Sequence, residues 1–467
     1  MNSVWRQFTL SNVRLRQWLS ASYLYQLVGL LQSWRQGSWL LQWSDQIAAL
    51  LVAIVLTLAP FVSTALIGIL LIACAGFWLL ITLSDEREQS QVTPIHLLVL
   101  LYWSIAVVAT ALSPVTAAAQ EGLVKLTLYL LLFALMARVL RSPHLRNWII
   151  TCFLHISLIV SVYGLRQHFF GADALATWTD PTSAAAEVTR VYSYLGNPNL
   201  LAGYLIPAVA LSLAAIFAWR RWLPKALAVT MFVVNSLCLV LTYSRGGWIG
   251  FVVCIFIFLV LLVYWYTNRL PVAWRPLAMP VLLGGAAGVV LLAVLFVEPV
   301  RSRVASIFAG SKDSSNNFRL NVWSAVVKMI KDRPLIGIGP GNDAFNKIYP
   351  LYQNPRYTAL SAYSIFLEIL VETGIIGLSC FLWLMVVTFS RGMQQLKRLR
   401  ELAKPEGFWL IASIATISGM LAHGIVDTVW YRPQVSTLWW LMVAIVASYY
   451  GAVRVSGSEG LNSKEKF

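Results

Sequence analysis

Apolar residues run through this chain in long blocks, and polar residues are confined to the short segments between them. A bilayer-crossing helix needs about 20 consecutive apolar residues. The block from Ile47 to Ser84 is about twice that length and contains Pro60, so it predicts two helices joined by a tight turn. Further blocks begin near His96, Gly122, Asn147, Asn199, Ala226, Trp248, Leu277, Ser364, Gly407 and Ser436. The pattern predicts an all-α polytopic membrane helix bundle of about 12 spans, with a range of about 10–12.

The blocks divide the chain into five parts. Residues 1–46 form an N-terminal segment, 47–297 a first group of transmembrane helices, 298–363 a large loop, 364–452 a last group of helices, and 453–467 a tail. Within the loop, Leu320, Trp323, Val326, Val327 and Ile330 recur at helical spacing and predict an amphipathic helix resting on the membrane or the bundle rim, ended by Pro334. In the N-terminal segment, Tyr23, Leu24, Leu27, Leu30, Leu31 and Trp34 recur in the same way. They suit a helix lying on the membrane surface or an ordinary packed one. Arg6, Arg14, Arg16 and Arg35 interrupt the apolar stretches there, and no small-residue cleavage pattern follows, so a secretory signal is not expected.

Composition agrees with the pattern. The 467 residues are 59% hydrophobic and 12% charged, against about 25% charged in soluble domains. The net charge of +16 does not point to nucleic acid, because the basic residues flank apolar blocks rather than forming one stripe. They orient the bundle instead. Arg138, Arg141, Arg146, Arg220, Arg221, Lys225, Arg269, Arg275, Arg391, Lys397, Arg398, Arg400 and Lys404 fall in alternate short loops, whereas Ser113–Gln120 has no Lys or Arg. The positive-inside bias then places both termini in the cytoplasm. It puts the large loop and the segment from about Gln167 to Gly196 outside a cell (inner or plasma) membrane. Cys74, Cys152, Cys238, Cys254 and Cys380 lie in or beside apolar runs without CxxC spacing, so neither disulfide, metal nor cofactor is expected.

Four outer arginines are the candidate chemistry: Arg245 in Tyr243-Ser244-Arg245-Gly246-Gly247-Trp248, Arg319 at the start of the loop helix, Arg190 and Arg432. Guanidinium groups hold oxyanions through charge-assisted, bidentate hydrogen bonds. If Arg245 and Arg319 converge, their pocket would take phosphate, pyrophosphate, carboxylate or bicarbonate; otherwise each marks a headgroup boundary. Glu368 and Glu372 face one direction a helical turn apart, suiting pairing with an arginine above or general-base work. Gly337-Ile338-Gly339-Pro340-Gly341-Asn342 lacks the GK[ST] ending of a phosphate loop and reads as a turn entering a helix at Asp343; Asn197-Pro198-Asn199 is likewise a helix entry. His423 and Asp427, four residues apart, would orient a proton carrier or cap a helix. His155, mid-span, reads as a hydrogen-bonded packing residue or a proton relay.

The motif around Arg245, Arg319-Leu320 with Trp323, Arg333-Pro334-Leu335-Ile336-Gly337-Ile338-Gly339, and Glu372-Thr373-Gly374-Ile375-Ile376-Gly377 together resemble the O-antigen ligase and polymerase superfamily. With Gly196-Asn197-Pro198-Asn199 and His423-Gly424 through Asp427 to Pro433, the chain looks like its cyanobacterial IctB branch, described as bicarbonate transporters. The resemblance implies that Arg245 and Arg319 hold the pyrophosphate of a polyprenyl-linked glycan or another anion, with Glu372, Glu368, His423 and Asp427 in support. The family's catalytic histidine position falls on Tyr363, followed by Ser364 and later Gly374. A tyrosine with pKa near 10 is about 0.1% ionised at pH 7, a penalty of roughly 4 kcal/mol for a base, which a nearby guanidinium would reduce.

Three functions follow: bicarbonate handling in inorganic carbon accumulation, transfer of polyprenyl-diphosphate-linked glycan at the outer membrane face, or a binding or regulatory subunit without turnover. Membrane lipids are partners in all three. No inverted repeat or pair of interrupted helices is evident in the sequence, which counts against transport.

Overall fold

The computed structural model describes residues 2–10, 28–85, 92–171, 190–296, 298, 301 and 314–449. The described residues contain no β-strand, and the protein is an all-α polytopic membrane protein. The first nine principal helices are α1 (Ser44–Leu58), α2 (Thr64–Ser84), α3 (Pro94–Ala111), α4 (Thr116–Val139), α5 (Pro143–Phe170), α6 (Pro198–Ala218), α7 (Trp222–Leu241), α8 (Arg245–Tyr266) and α9 (Arg275–Phe296). The loop contributes α10 (Ser314–Asp332) and α11 (Asn342–Ile348), and the chain returns through α12 (Ile365–Glu401), α13 (Gly407–His423) and α14 (Pro433–Ser448). Eight of these, α2–α8 and α12, are long and apolar enough to cross a membrane; α1, α13 and α14 are shorter apolar helices.

The block from Ile47 to Ser84 holds α1 and α2, and each of the other ten blocks holds one of α3–α9 or α12–α14. Local chemistry sets several of the starts. Ser63 accepts the Leu66 amide at the head of α2, Ser142 the Leu145 amide before Pro143, and Asn197 the Asn199 and Leu200 amides before Pro198. A polar cap followed by proline satisfies one orphan N–H and omits another, so the helix begins there.

The centre of the bundle is α6, 83% of whose apolar window is buried, against 28% for α2 and α7. Helices α13 and α14 pack beside α6, buried nearly all round, and α8 lies along α13. Short helices surrounded by protein have no lipid thickness to match, which is how 16- and 17-residue elements serve here.

The helices alternate in direction, so the bundle has two distinct ends. At the end opposite the large loop, Arg138 pairs with Asp85 at 2.6 Å and Asp45 at 3.4 Å, and Arg35 pairs with Asp85 at 3.0 Å. Arg146 stacks 4.0 Å over the Tyr449 ring. At the large-loop end, α10 and α11 form a second small core with Val322, Ala325, Val326, Met329, Phe345, Tyr349 and Ala362.

The loop helix ends at Asp332, two residues before Pro334, as expected. Its buried face differs from the predicted stripe. Val326 is buried and Trp323 and Ile330 are half-buried, but Leu320 and Val327 are exposed, and Val322, Ala325 and Met329 turn inward beside Val326. The inward set keeps helical spacing and packs in one core with Phe345 and Tyr349. The N-terminal stripe lies largely outside the described residues, as do most of the outer segment before Gly196 and the tail after 452.

Candidate functional site

Residues of α8, α10 and the α13–α14 turn meet at the large-loop end. Ser244 caps α8 by accepting the Gly247 amide at 3.1 Å, which places Arg245 on the first turn. There Arg245 Nη1 donates to Asn316 Oδ1 at 3.0 Å. Asn316 sits on α10 one turn before Arg319, whose Nε donates to the Val426 carbonyl at 2.9 Å and whose Nη2 lies 3.9 Å from Asp427 Oδ2. Helix α10 thus carries one arginine and binds the other through its neighbour. Asp427 also accepts the Thr428 amide at 2.8 Å. Asn316 and the Val426 carbonyl were not singled out in the sequence; the only signal was the polar run Ser314-Ser315-Asn316-Asn317 ahead of Arg319.

Tyr363 stands in the same group, its ring edge-on to Phe318 of α10 at 5.3 Å between centroids. Burial, reinforced by Asp427 and Tyr431, pushes its phenol up to about 12 against a partial pull from Arg319. A guanidinium therefore does act on this hydroxyl, but desolvation of a would-be phenolate outweighs it. At neutral pH Tyr363 is a hydrogen-bond donor rather than a base.

Tyr243 and Tyr363 share a further feature: both have φ of +49° and both directly precede the serine that begins a helix. Left-handed backbone costs a non-glycine residue about 1–3 kcal/mol and persists only where the surroundings enforce it. The two strained tyrosines flank the starts of α8 and α12, the helices that frame the arginine group.

His423, the last residue of α13, is 1% exposed. It packs against glycines: a Cβ built at Gly246 would lie 2.7 Å from its Cδ2, and one at Gly203 3.6 Å from its Cε1. Both ring nitrogens lack a hydrogen-bond partner among the described residues. The expected contact between His423 and Asp427 is not made, because α13 ends at His423 and the chain turns at Gly424 before an i, i+4 pair can form.

Glu368 and Glu372 are scaffold carboxylates whose partners are backbone amides rather than an arginine. Glu368 Oε2 accepts the Ala362 amide at 2.5 Å and Glu372 Oε1 the Gly341 amide at 2.7 Å. The second contact belongs to a strap, residues 334–341, that inserts into a break in α12. At Gly374 (φ 66°, ψ −171°) the helix loses its regular bonds. The amides of Ile338 and Gly339 donate to Val371 and Glu372 carbonyls, both at 2.9 Å, while Ile375 and Ile376 donate to Pro334 and Leu335 carbonyls at 2.9 and 3.5 Å. The strap thus bonds two carbonyls and two amides at the break. The glycine-rich turn leads into α11 at Asn342, and its Ile338, Gly339 and Gly341 amides donate to α12. Beyond the strap, Ser113 Oγ donates to the Ile338 carbonyl at 2.5 Å, and Lys125 pairs with Asp343 at 2.7 Å.

Arg190 and Arg432 are held by other partners as well. Arg190 ties the chain before Ser193 to the end of α7, donating to the Thr242 carbonyl at 3.0 Å and to Asn199 Oδ1 at 3.2 Å. Arg432 is exposed and lies 5.1 Å over the ring of Tyr431. No cluster of three or more His, Cys, Asp or Glu suited to a metal occurs among the described residues, and the five cysteines are free thiols.

The O-antigen ligase family model matches residues 227–382, about a third of the chain. That stretch runs from α7 to the middle of α12 and includes Arg245, Asn316, Arg319 and Tyr363. No curated protein matches the chain.

Proposed function

Proceeding from an O-antigen-ligase-like stretch that encloses both arginines, we propose that this membrane protein binds the diphosphate of a polyprenyl-linked glycan at the large-loop end of its bundle and transfers the glycan. The observation that carries this reading is that α10 supplies Arg319 and also the Asn316 side chain to which Arg245 donates. Two guanidinium groups served by one helix would hold adjacent phosphates and stabilise the charge that grows on a departing diphosphate. In the transfer, the bond between the anomeric carbon and the diphosphate oxygen breaks, and a bond to an acceptor hydroxyl forms. Polyprenyl diphosphate leaves, and the hydroxyl proton passes to a carboxylate. In this reading Asp427, 3.9 Å from Arg319, takes the proton, and Tyr363 donates to the substrate.

The test is binding of a polyprenyl-diphosphate oligosaccharide to purified protein, with product formation in the presence of an acceptor. Arg245→Ala and Arg319→Ala should each weaken binding at least about tenfold, the worth of one charge-assisted contact of about 1.4 kcal/mol. Absence of binding by the wild-type protein would remove the proposal. Binding without product would leave a non-catalytic binding subunit.

A second reading, bicarbonate transport, draws on the same two guanidinium groups, since α10 carries Arg319 and, through Asn316, engages Arg245, and such a pair would also hold a small oxyanion. It predicts bicarbonate flux in proteoliposomes that disappears with Arg245→Ala or Arg319→Ala. Proteoliposomes without flux at any imposed gradient would end it.

A further inference from the structure

A second site lies at the opposite end of the bundle and is independent of the arginine group. Between α5 and α7 there is a cavity of about 930 Å3, covered at one edge by Pro405, Glu406 and Trp409. Its volume is in the range of ligand pockets, about 300–1,000 Å3.

The lining has three chemistries in a fixed order along the bundle axis. Arg220 and Arg221, in the α6–α7 turn, are exposed and have no hydrogen-bond or ion-pair partner among the described residues. Glu406 is the one acid among the lining residues, facing two cations. Next, Asn147, Thr151 and His155 recur every fourth residue of α5 and so form a single polar stripe that climbs from the helix end into its apolar length. Leu223, Ala226 and Leu227 of α7 line the facing wall.

His155 makes this more than a basic helix end. It is exposed although α5 is a candidate membrane span, and a bare imidazole against hydrocarbon is costly. Its Nδ1 lies 2.8 Å from the Thr151 carbonyl, which leaves Nε2 for an occupant of the cavity. Asn147 Oδ1 is engaged at 3.3 Å by Trp219 Nε1, holding the mouth in shape.

We propose that this cavity is a site for an anionic membrane phospholipid. Its phosphodiester lies at Arg220 and Arg221, its glycerol region runs along the Asn147, Thr151 and His155 stripe, where Nε2 of His155 is left as an acceptor for a lipid hydroxyl, and one acyl chain follows Leu223 and Leu227. A soluble anion would use the arginines but not the apolar wall. A zwitterionic lipid would bring an ammonium group to two guanidiniums opposed by one carboxylate in the lining. The headgroup and chain order of an anionic lipid matches all three parts of the lining.

The full-length protein, purified in neutral detergent, is titrated with phosphatidylglycerol, phosphatidylcholine or inorganic phosphate, with melting temperature and lipid retention in native mass spectrometry as readouts. Phosphatidylglycerol should raise the melting temperature and remain bound under activation that strips phosphatidylcholine, and inorganic phosphate should do neither. The Arg220→Gln/Arg221→Gln double variant should bind phosphatidylglycerol at least tenfold more weakly, and His155→Leu severalfold. Equal retention of the two lipids by the wild-type protein would overturn the proposal. So would an undiminished phosphatidylglycerol preference in the double variant, or a phosphate effect as large as the lipid's.

Discussion

Gly246 lies flat against the edge of His423: a Cβ added there would sit 2.7 Å from Cδ2 and 3.1 Å from Nε2. The contact joins the first turn of α8, next to Arg245, to the last residue of α13. Gly250, one turn further on, would place its Cβ 3.0 Å from His423 Cβ and 2.7 Å from the Gly419 carbonyl. The two glycines let α8 approach α13 closely enough for Arg245 and Arg319 to be served by the same loop helix.

Gly246→Ala should therefore push His423 or the start of α8 outward. Overpacking of this kind costs about 1–3 kcal/mol, read as a lower melting temperature in detergent. Proposed substrate binding should fall with it, because Arg245 is the preceding residue. A Gly246→Ala protein with unchanged melting temperature and unchanged binding would show that the contact sets neither.

Glu372→Ala should release the strap, since it leaves the Gly341 amide without its acceptor. An unsatisfied buried donor costs about 1–3 kcal/mol. Glu372→Gln keeps a carbonyl oxygen at the same reach and should lose clearly less. Hydrogen exchange at Gly341 distinguishes the cases: fast in the alanine variant and slow in the glutamine variant. Equal exchange in both would argue against the carboxylate as the strap's anchor.

Much of this fold is legible in the chain because a bilayer imposes length and apolarity on every helix. Pro60, the Ser142-Pro143 and Asn197-Pro198 entries, and the stop before Pro334 carry local signals that tertiary packing does not override. What was not legible depends on partners distant in sequence. The spacing of Glu368 and Glu372 shows that they face one way, but not that amides of Ala362 and Gly341 await them. Periodicity located α10 yet not its buried face, because Leu320 and Val327 fit a helical stripe as well as Val322 and Met329 do. The interruption at Gly374 looks like any isolated helix glycine until the strap supplies the replacement bonds.

Tyr363 gives a pH dependence with a definite sign. Its pKa is raised in the folded protein to about 12, against about 10 for an unperturbed tyrosine. The contribution to stability is fully present below pH 10 and is lost as pH rises through 12. The stability difference between wild type and Tyr363→Phe should accordingly be flat below about pH 10 and shift against wild type above it. Denaturation at pH 8, 9, 10 and 11 checks this. A difference that changes between pH 8 and 9 would mean the phenol ionises near its ordinary value. Tyr363→His would instead introduce a group titrating near about 6.5 in solution, so any transfer activity should gain a rise with pH through that region that the wild type lacks.

Gly374→Ala tests whether α12 must be broken. The wild-type residue has φ of +66°, and an added Cβ would lie 2.1 Å from the Leu335 carbonyl oxygen and 2.4 Å from the Ile336 nitrogen. Both neighbours are backbone, so neither can swing aside. Two responses are open to the alanine chain: to strain the break, or to close it into continuous helix. Closing it would restore the bonds from Ile375 and Ile376 to the Val371 and Glu372 carbonyls and expel the strap's Ile338 and Gly339 amides. Those amides would then face a bilayer rim without acceptors, at about 1–3 kcal/mol each. Either course predicts a marked fall in melting temperature, and expulsion further predicts proteolytic cleavage within residues 337–340, which are buried in the wild type. A Gly374→Ala protein as stable and as protease-resistant as wild type would show that strap and break are not mutually dependent.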